Sequence, residues 1–325
     1  MNALSTETAD RRRSMLRTAM GASIAAALAD PQTIEVMVNP DGRLRLDKLG
    51  QGRVDTGEQL GASEVERIIR VVAAHLRIEV HADNPVLSAE LPETGERFEG
   101  VLPPVATAPC FAIRKPASAI KRLKDYVIDR ILTEAQAEIL RAAIRDRQNI
   151  IVAGGTSSGK TTLVNALLAE IAAADERVIL IEDTRELQCA APDCVALRTK
   201  PGIVTMGHLV RSTLRLRPDR IIVGEVRGSE ALDMLKAWNT GHPGGIATIH
   251  ANSARAVLYR LEQLIQEGVM TVPRALIAET VDLIAFLQGR GAHRRLETIA
   301  TVGRLGPDGD YQLTDVSQTQ RLRAL

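Results

Sequence analysis

Gly154-Gly155-Thr156-Ser157-Ser158-Gly159-Lys160-Thr161 is a complete G-x-x-x-x-G-K-[ST] run, the pattern that wraps a backbone around a phosphate group. Glycines let successive N–H groups turn toward one anion, and the start of the following helix adds partial positive charge. Residues 154–159 then form the cradle, Lys160 reaches the β- and γ-phosphates, and Thr161 offers its hydroxyl to Mg²⁺, with Thr162 opening the helix. The flanks match that need. Ile150-Ile151-Val152-Ala153 reads as an apolar strand running in, and Thr162 to Ala173 as a helix running out. The loop therefore predicts binding of a nucleoside triphosphate. No Asn-Lys-x-Asp segment is present to read a guanine base, and on the loop alone a small-molecule kinase stays open beside a hydrolase.

Three further blocks narrow the chemistry. Arg220-Ile221-Ile222-Val223-Gly224-Glu225-Val226-Arg227-Gly228 is an apolar strand ending in an acid, the natural partner strand of a phosphate loop. Glu225 is the candidate to orient and activate an attacking water, and a possible Mg²⁺ contact through a water. Glycine stands at 224, where many such enzymes carry aspartate. Ile179-Leu180-Ile181-Glu182-Asp183-Thr184-Arg185-Glu186 delivers paired acids at the carboxyl edge of another strand, where ligands bind in open α/β sheets. Glu182 is a second catalytic candidate, and a helix cap is the competing reading of that block. The third block, Thr240 to Asn252, has a Gly-rich entrance and ends its strand at His250. His250 is placed to face a γ-phosphate and report its presence.

These blocks in this order resemble the secretion-ATPase superfamily, which drives type II and type IV secretion, pilus dynamics and DNA conjugation. The match spans about residues 149–260, and Phe111-Ala112-Ile113-Arg114-Lys115-Pro116 is similar to the superfamily's Arg-Lys-Pro segment. The chain lacks the tetra-cysteine zinc insert of the type II and pilus-extension branches, which points to the conjugation and type IV secretion branch. The resemblance implies an α/β, RecA-like phosphate-loop ATPase domain, its mostly parallel sheet covered by helices on both faces. It also implies ATP and Mg²⁺ as cofactors, a homo-oligomeric hexamer, a cytoplasmic place at the inner membrane, and inner-membrane components of a transfer channel as partners. The implied function is an ATP-hydrolysing motor for conjugal DNA transfer or type IV secretion. A pilus-retraction motor is the near alternative, and a direct DNA translocase the distant one.

The elements that must hold these residues divide the chain. Residues 1–114 read as a small α+β domain. A hairpin around Asn39-Pro40-Asp41-Gly42 joins Ile34–Val38 to Arg43–Leu46. A helix from Ser63 to Leu76 carries Val65, Ile68, Ile69, Val72 and Leu76 on one face. Strand candidates follow at 86–91, 97–102 and 110–114. Residues 115–132, charged and without a clean period, read as a linker, and 133–325 as the ATPase domain, with strand and helix patterns alternating to about residue 290. Arg114, beside the linker, is the candidate arginine finger, since a guanidinium brought in by a moving domain can hold two γ-phosphoryl oxygens. It could serve its own site or a neighbour's.

Composition bounds what else the chain can do. It has 325 residues, 45% hydrophobic and 25% charged, ordinary globular usage. Its formal net charge is +1 and its aromatic share 2%, with charge balanced in both halves. Direct nucleic-acid gripping wants clustered Lys/Arg and stacking rings, so it is not expected. Three cysteines without a CxxC pair fit a reducing compartment. Arg11-Arg12-Arg13 before the apolar stretch Ala19–Ala29 imitates a signal peptide. An alanine-rich first helix stopped by Asp30-Pro31 is the favoured reading, and its basic start would also suit a membrane surface.

Overall fold

The computed structural model describes residues 3–91, 95–116, 120–172 and 174–319. The chain divides into two compact units, Met1–Ser118 and Ala119–Leu325.

In the first unit, α1 (Ala3–Ala29) precedes β1 (Thr33–Val38), β2 (Arg43–Lys48) and β3 (Gly52–Gln59), followed by α2 (Ala62–Leu76), β4 (Val86–Glu90), β5 (Arg97–Val101) and β6 (Cys110–Arg114). The strands form one antiparallel sheet in the order β3-β2-β1-β6-β5-β4. Val65, Ile68, Ile69 and Val72 of α2 are fully buried, three and four residues apart as one helix face demands. The stretch that imitates a signal peptide is helical here, and its Met20, Ile24 and Ala27 join the same core. The side chains of Arg11, Arg12 and Arg13 lie outside the described residues, while Arg17 is exposed. β3 has no counterpart in the sequence reading. Nearly all its side chains face solvent, so it lacks the apolar alternation that announces a strand.

The second unit opens with α3 (Leu123–Ile128) and α4 (Glu134–Arg145), then β7 (Ile150–Gly154), α5 (Lys160–Ile171), β8 (Val178–Glu182) and β9 (Cys194–Arg198). Next come α6 (Met206–Thr213), β10 (Arg220–Val223), α7 (Glu230–Asn239), β11 (Ile246–Ile249), α8 (Ala254–Gln266), α9 (Arg274–Thr280), β12 (Leu283–Gln288), β13 (Arg295–Leu305) and β14 (Tyr311–Asp315). They build an eight-stranded sheet in the order β14-β13-β12-β7-β11-β10-β8-β9. From β12 to β9 the neighbours run parallel; β13 and β14 are antiparallel.

Every residue of β7, β8, β10 and β11 is buried, as parallel strands covered on both faces require. Their period of two sorts the side chains. Ile151, Ala153, Ile179 and Ile181 pack with α6, α7, α8 and α9 on one face. Ile150, Val152, Val178 and Leu180 pack with α3, α4 and α5 on the other.

One expected boundary is corrected. The reading of 115–132 as linker holds too much, because Leu123 and Tyr126 are 0% exposed and pack with Leu140, Ile150 and Leu163 of the second unit. These two anchors sit among Lys121, Arg122, Lys124 and Asp125, and six helical residues are too few to show a period. No helix among the described residues is long and apolar enough to cross a membrane.

Candidate active site

Loops leaving the carboxyl ends of parallel strands share one edge of the sheet, so strand order decides which side chains meet. β11 lies between β7 and β10, in register Ile249↔Ala153 on one side and Ala247↔Val223 on the other. The exits of β7, β11 and β10 therefore stand in a row and carry Lys160, His250 and Glu225. The histidine strand is thus inserted between the phosphate-loop strand and β10.

The phosphate loop turns sharply out of β7 and into α5. Gly154 is buried at φ 156°, and a Cβ there would lie 2.5 Å from the carbonyl oxygen of Leu287 and 2.6 Å from Ser158 Oγ. No side chain fits. Gly159 caps α5 at φ 90°. Ser158 is 2% exposed and its Oγ has no hydrogen-bond partner among the described residues, an unsatisfied polar atom inside the cradle. Thr161 and Thr162 occupy the first turn of α5, half-buried. Gly154→Ala is expected to combine the clash with a strained backbone worth about 1–3 kcal/mol, at about 2–4 °C of Tm for each kcal/mol in a domain of this size. Thermal denaturation and nucleotide titration check this; wild-type Tm and affinity in the variant would contradict the close approach.

Lys160 is 8% exposed, and its ammonium sits 3.2 Å from the carbonyl oxygens of Gly154 and Gly155. The same nitrogen is 3.3 Å from His250 Nδ1, and His250 Nε2 is 3.0 Å from Glu225 Oε1. The ammonium also lies 3.4 Å from Nε2, and the tautomer that serves both partners has Nε2–H donating to the carboxylate and Nδ1 accepting from the ammonium. Burial first, and then the Lys160 charge, hold the His250 pKa below the usual imidazole value, with Glu225 opposing them. The ring is therefore neutral at pH 7. The other carboxylate oxygen of Glu225 accepts from Arg227 at 2.6 Å. Burial pushes the Glu225 pKa upward, but that hydrogen bond and the charges of Arg227 and Lys160 together bring it below the ordinary glutamate value. Glu225 is thus an ionised acceptor at the end of a three-residue chain, suited to orienting a water as well as accepting its proton.

Glu182 is 3% exposed at the end of β8, and its Oε1 accepts from the backbone N–H groups of Glu186 and Leu187, both at 2.8 Å. It ties down the loop that follows its strand. A Cβ on Gly224 would lie 3.0 Å from Glu182 Cγ, so an aspartate at 224 would crowd this carboxylate. Arg114 ends β6 in the first unit, exposed, with Glu35 and Arg97 opposite it in register.

Sequence reasoning missed three arginines. A cleft of about 530 Å³ opens beside Gly154, Gly155, Thr156 and His250, and Arg260 of α8 and Arg290 after β12 also line it. Arg294 packs its guanidinium where a Gly159 Cβ would be, 2.7 Å from Cζ. None belongs to a contiguous motif. The only sequence signal was the i, i+3, i+4, i+7 face of α8 that bears Ala256, Tyr259, Arg260 and Gln263.

A glycine-turned loop between strand and helix, with a buried lysine linked through histidine to a carboxylate at one sheet edge, defines a phosphate-loop nucleotide hydrolase. Residues 53–288 match the family described as type II/IV secretion system protein, and the chain belongs to that family; it is an ATPase. It is 49% identical over 286 residues to the conjugal transfer protein TrbB of Rhizobium radiobacter, covering 87% of this chain and 88% of that one. It is 32% identical over 285 residues to the type IV secretion system protein VirB11 of Bartonella henselae, covering 75% and 80%. The crystal structure of the pilus retraction motor PilT with bound ADP shares the fold, with a TM-score of 0.62 at 18% identity over 93% of this chain and 87% of that one.

Proposed function

We propose that the chain is the ATP-hydrolysing motor of a conjugal-transfer or type IV secretion channel, working as a hexameric ring on the cytoplasmic side of the inner membrane through a RecA-like second domain. The observation that carries the catalytic part is the run Lys160–His250–Glu225 across three adjacent strand exits.

ATP would lie on residues 154–162, with the backbone N–H groups of the loop and the start of α5 facing its phosphates. Thr161 fits Mg²⁺, which is bound by few protein ligands and keeps several waters. A hydroxyl in the first turn beside the cradle suffices, without a carboxylate cage. When bound, the ion neutralises charge on the β- and γ-oxygens. Lys160 would exchange the carbonyls of Gly154 and Gly155 for phosphate oxygens. Glu225 would orient the water and take its proton as the water attacks the γ-phosphorus and ADP leaves. Arg114 would complete the site as an arginine finger, from its own subunit or a neighbour's.

His250 supplies the link to movement. It accepts from Lys160 and donates to Glu225, so a γ-phosphate that draws the ammonium away also changes what His250 offers the carboxylate. His250→Ala is therefore expected to keep ATP affinity within a few fold and to lose plasmid transfer from donor cells. A mating assay with the substituted protein reads this directly. Undiminished transfer would reduce His250 to a packing residue and remove the proposed coupling.

A further inference from the structure

The cleft beside the phosphate loop holds two cations that the mechanism above does not use. Arg260 lies on the exposed face of α8, whose other face buries Val257, Leu258, Leu261, Leu264 and Ile265 in the core. Arg290 follows β12, the strand paired to β7 on the side away from β11, with Leu287 in register with Gly154. Gly289 (φ 82°) makes that turn tight enough that a Cβ would lie 2.1 Å from the carbonyl oxygen of His293. That turn sets the backbone that carries Arg290, whose side chain lines the cleft beside the loop.

The charges around these two are unbalanced. Among the described residues the Arg260 guanidinium is hydrogen-bonded only to the side-chain oxygen of Gln263, at 3.2 Å, and the Arg290 guanidinium has no hydrogen-bond or acidic partner. Arg255, Arg274 and Arg295 are by contrast paired, with Asp310, Glu262 and Glu297 respectively. No carboxylate lines the cleft. Two guanidiniums face the first half of a phosphate loop, with Lys160 and a neutral histidine beside them. Such a cluster awaits an anion, and a planar guanidinium is the donor that best fits phosphoryl oxygens. The field of Arg260 reaches the site as the smallest of the influences that lower the His250 pKa, after burial, Lys160 and Arg227.

We propose that Arg260 and Arg290 clamp the terminal phosphoryl group of ATP bound in their own subunit, distinguishing ATP from ADP. The proposal rests on the reading of residues 154–162 as the ATP cradle. ADP lacks the group that would enter the cleft, so the two arginines contribute to ATP affinity and leave ADP affinity alone. They are binding residues for the γ-phosphate, in addition to any finger supplied by Arg114.

The test is calorimetric titration of the full chain and of Arg260→Gln, Arg290→Gln and the double variant with Mg-ADP and with a non-hydrolysable ATP analogue. ADP binding serves as the control for folding and for the cradle. Each single substitution is expected to weaken the analogue about 10-fold, the scale of one charge-assisted hydrogen bond, with ADP changed less than twofold. Arg290→Lys should recover part of the loss. Equal weakening of both nucleotides, or of neither, would overturn the clamp. Loss of ring assembly with both affinities intact would instead assign the two arginines to a second copy of the chain. A wild-type chain that binds neither nucleotide would overturn the cradle reading itself.

Discussion

Lys160→Ala protein is expected to fold, to lose tight ATP binding and to show no measurable hydrolysis. The ammonium is nearly buried and is held by two loop carbonyls and the His250 ring, so its direction is set before any phosphate arrives. Removing one preorganised donor from developing charge costs about 10²–10³ in kcat. Here the same atom also supplies ground-state contacts to the β- and γ-phosphates, so affinity falls together with rate. Steady-state phosphate release and nucleotide titration measure the two losses. Turnover within tenfold of wild type would mean that the loop does not place its lysine on phosphate. A variant with wild-type Tm and no turnover separates this loss from unfolding.

Glu225→Gln is expected to behave differently. The amide preserves size and its oxygen can still accept from Arg227, but its NH2 cannot accept from His250 Nε2–H, and it cannot take a proton from water. General-base assistance is worth about 10²–10⁴ in rate, so kcat is expected to fall by about that factor while ATP affinity stays close to wild type. The lowered pKa of Glu225, set by Arg227 and Lys160 against the opposing effect of burial, keeps the carboxylate ionised at neutral pH. Acidification should therefore reduce wild-type turnover only as the pH falls toward or below the ordinary glutamate range. Glu182 is the fallback assignment, and its Oε1 already holds two backbone N–H groups, which makes Glu182→Gln expected to act first through the β8 loop.

The phosphate loop was readable because its chemistry needs contiguous residues, and strand, turn and helix follow one another directly in the chain. The buried strands were readable as short apolar runs, since both faces of a parallel sheet are covered. Strand order was not. Nothing in residues 240–252 says that β11 enters between β7 and β10, yet that insertion is what puts His250 against both Lys160 and Glu225. The glycine-rich start of the same block also misleads. Gly245 stands at the far, amino end of β11, where a Cβ would lie 2.1 Å from the Trp238 ring, whose indole N–H donates to the Ile221 carbonyl. Gly244 and Gly245 make room for the Arg220 and Trp238 side chains, not for a ligand. Arg290 reaches the site from a hairpin distant from it in sequence and Arg260 from the exposed face of the helix that follows His250, where no motif marks it, and β3 carries no apolar face to announce it. The short helix α3 hid in a charged segment because two anchors, Leu123 and Tyr126, do its packing.

Hydrolysis at this cradle, with Glu225 acting on the water, is tested most directly by the nucleotide held on Glu225→Gln protein. Purified variant is incubated with Mg-ATP, freed of excess nucleotide and quenched, and the bound nucleotide is separated and quantified. ATP should dominate in the variant and ADP in the wild-type protein treated the same way. Predominantly ADP on Glu225→Gln, formed at the wild-type rate, would contradict the assignment of Glu225.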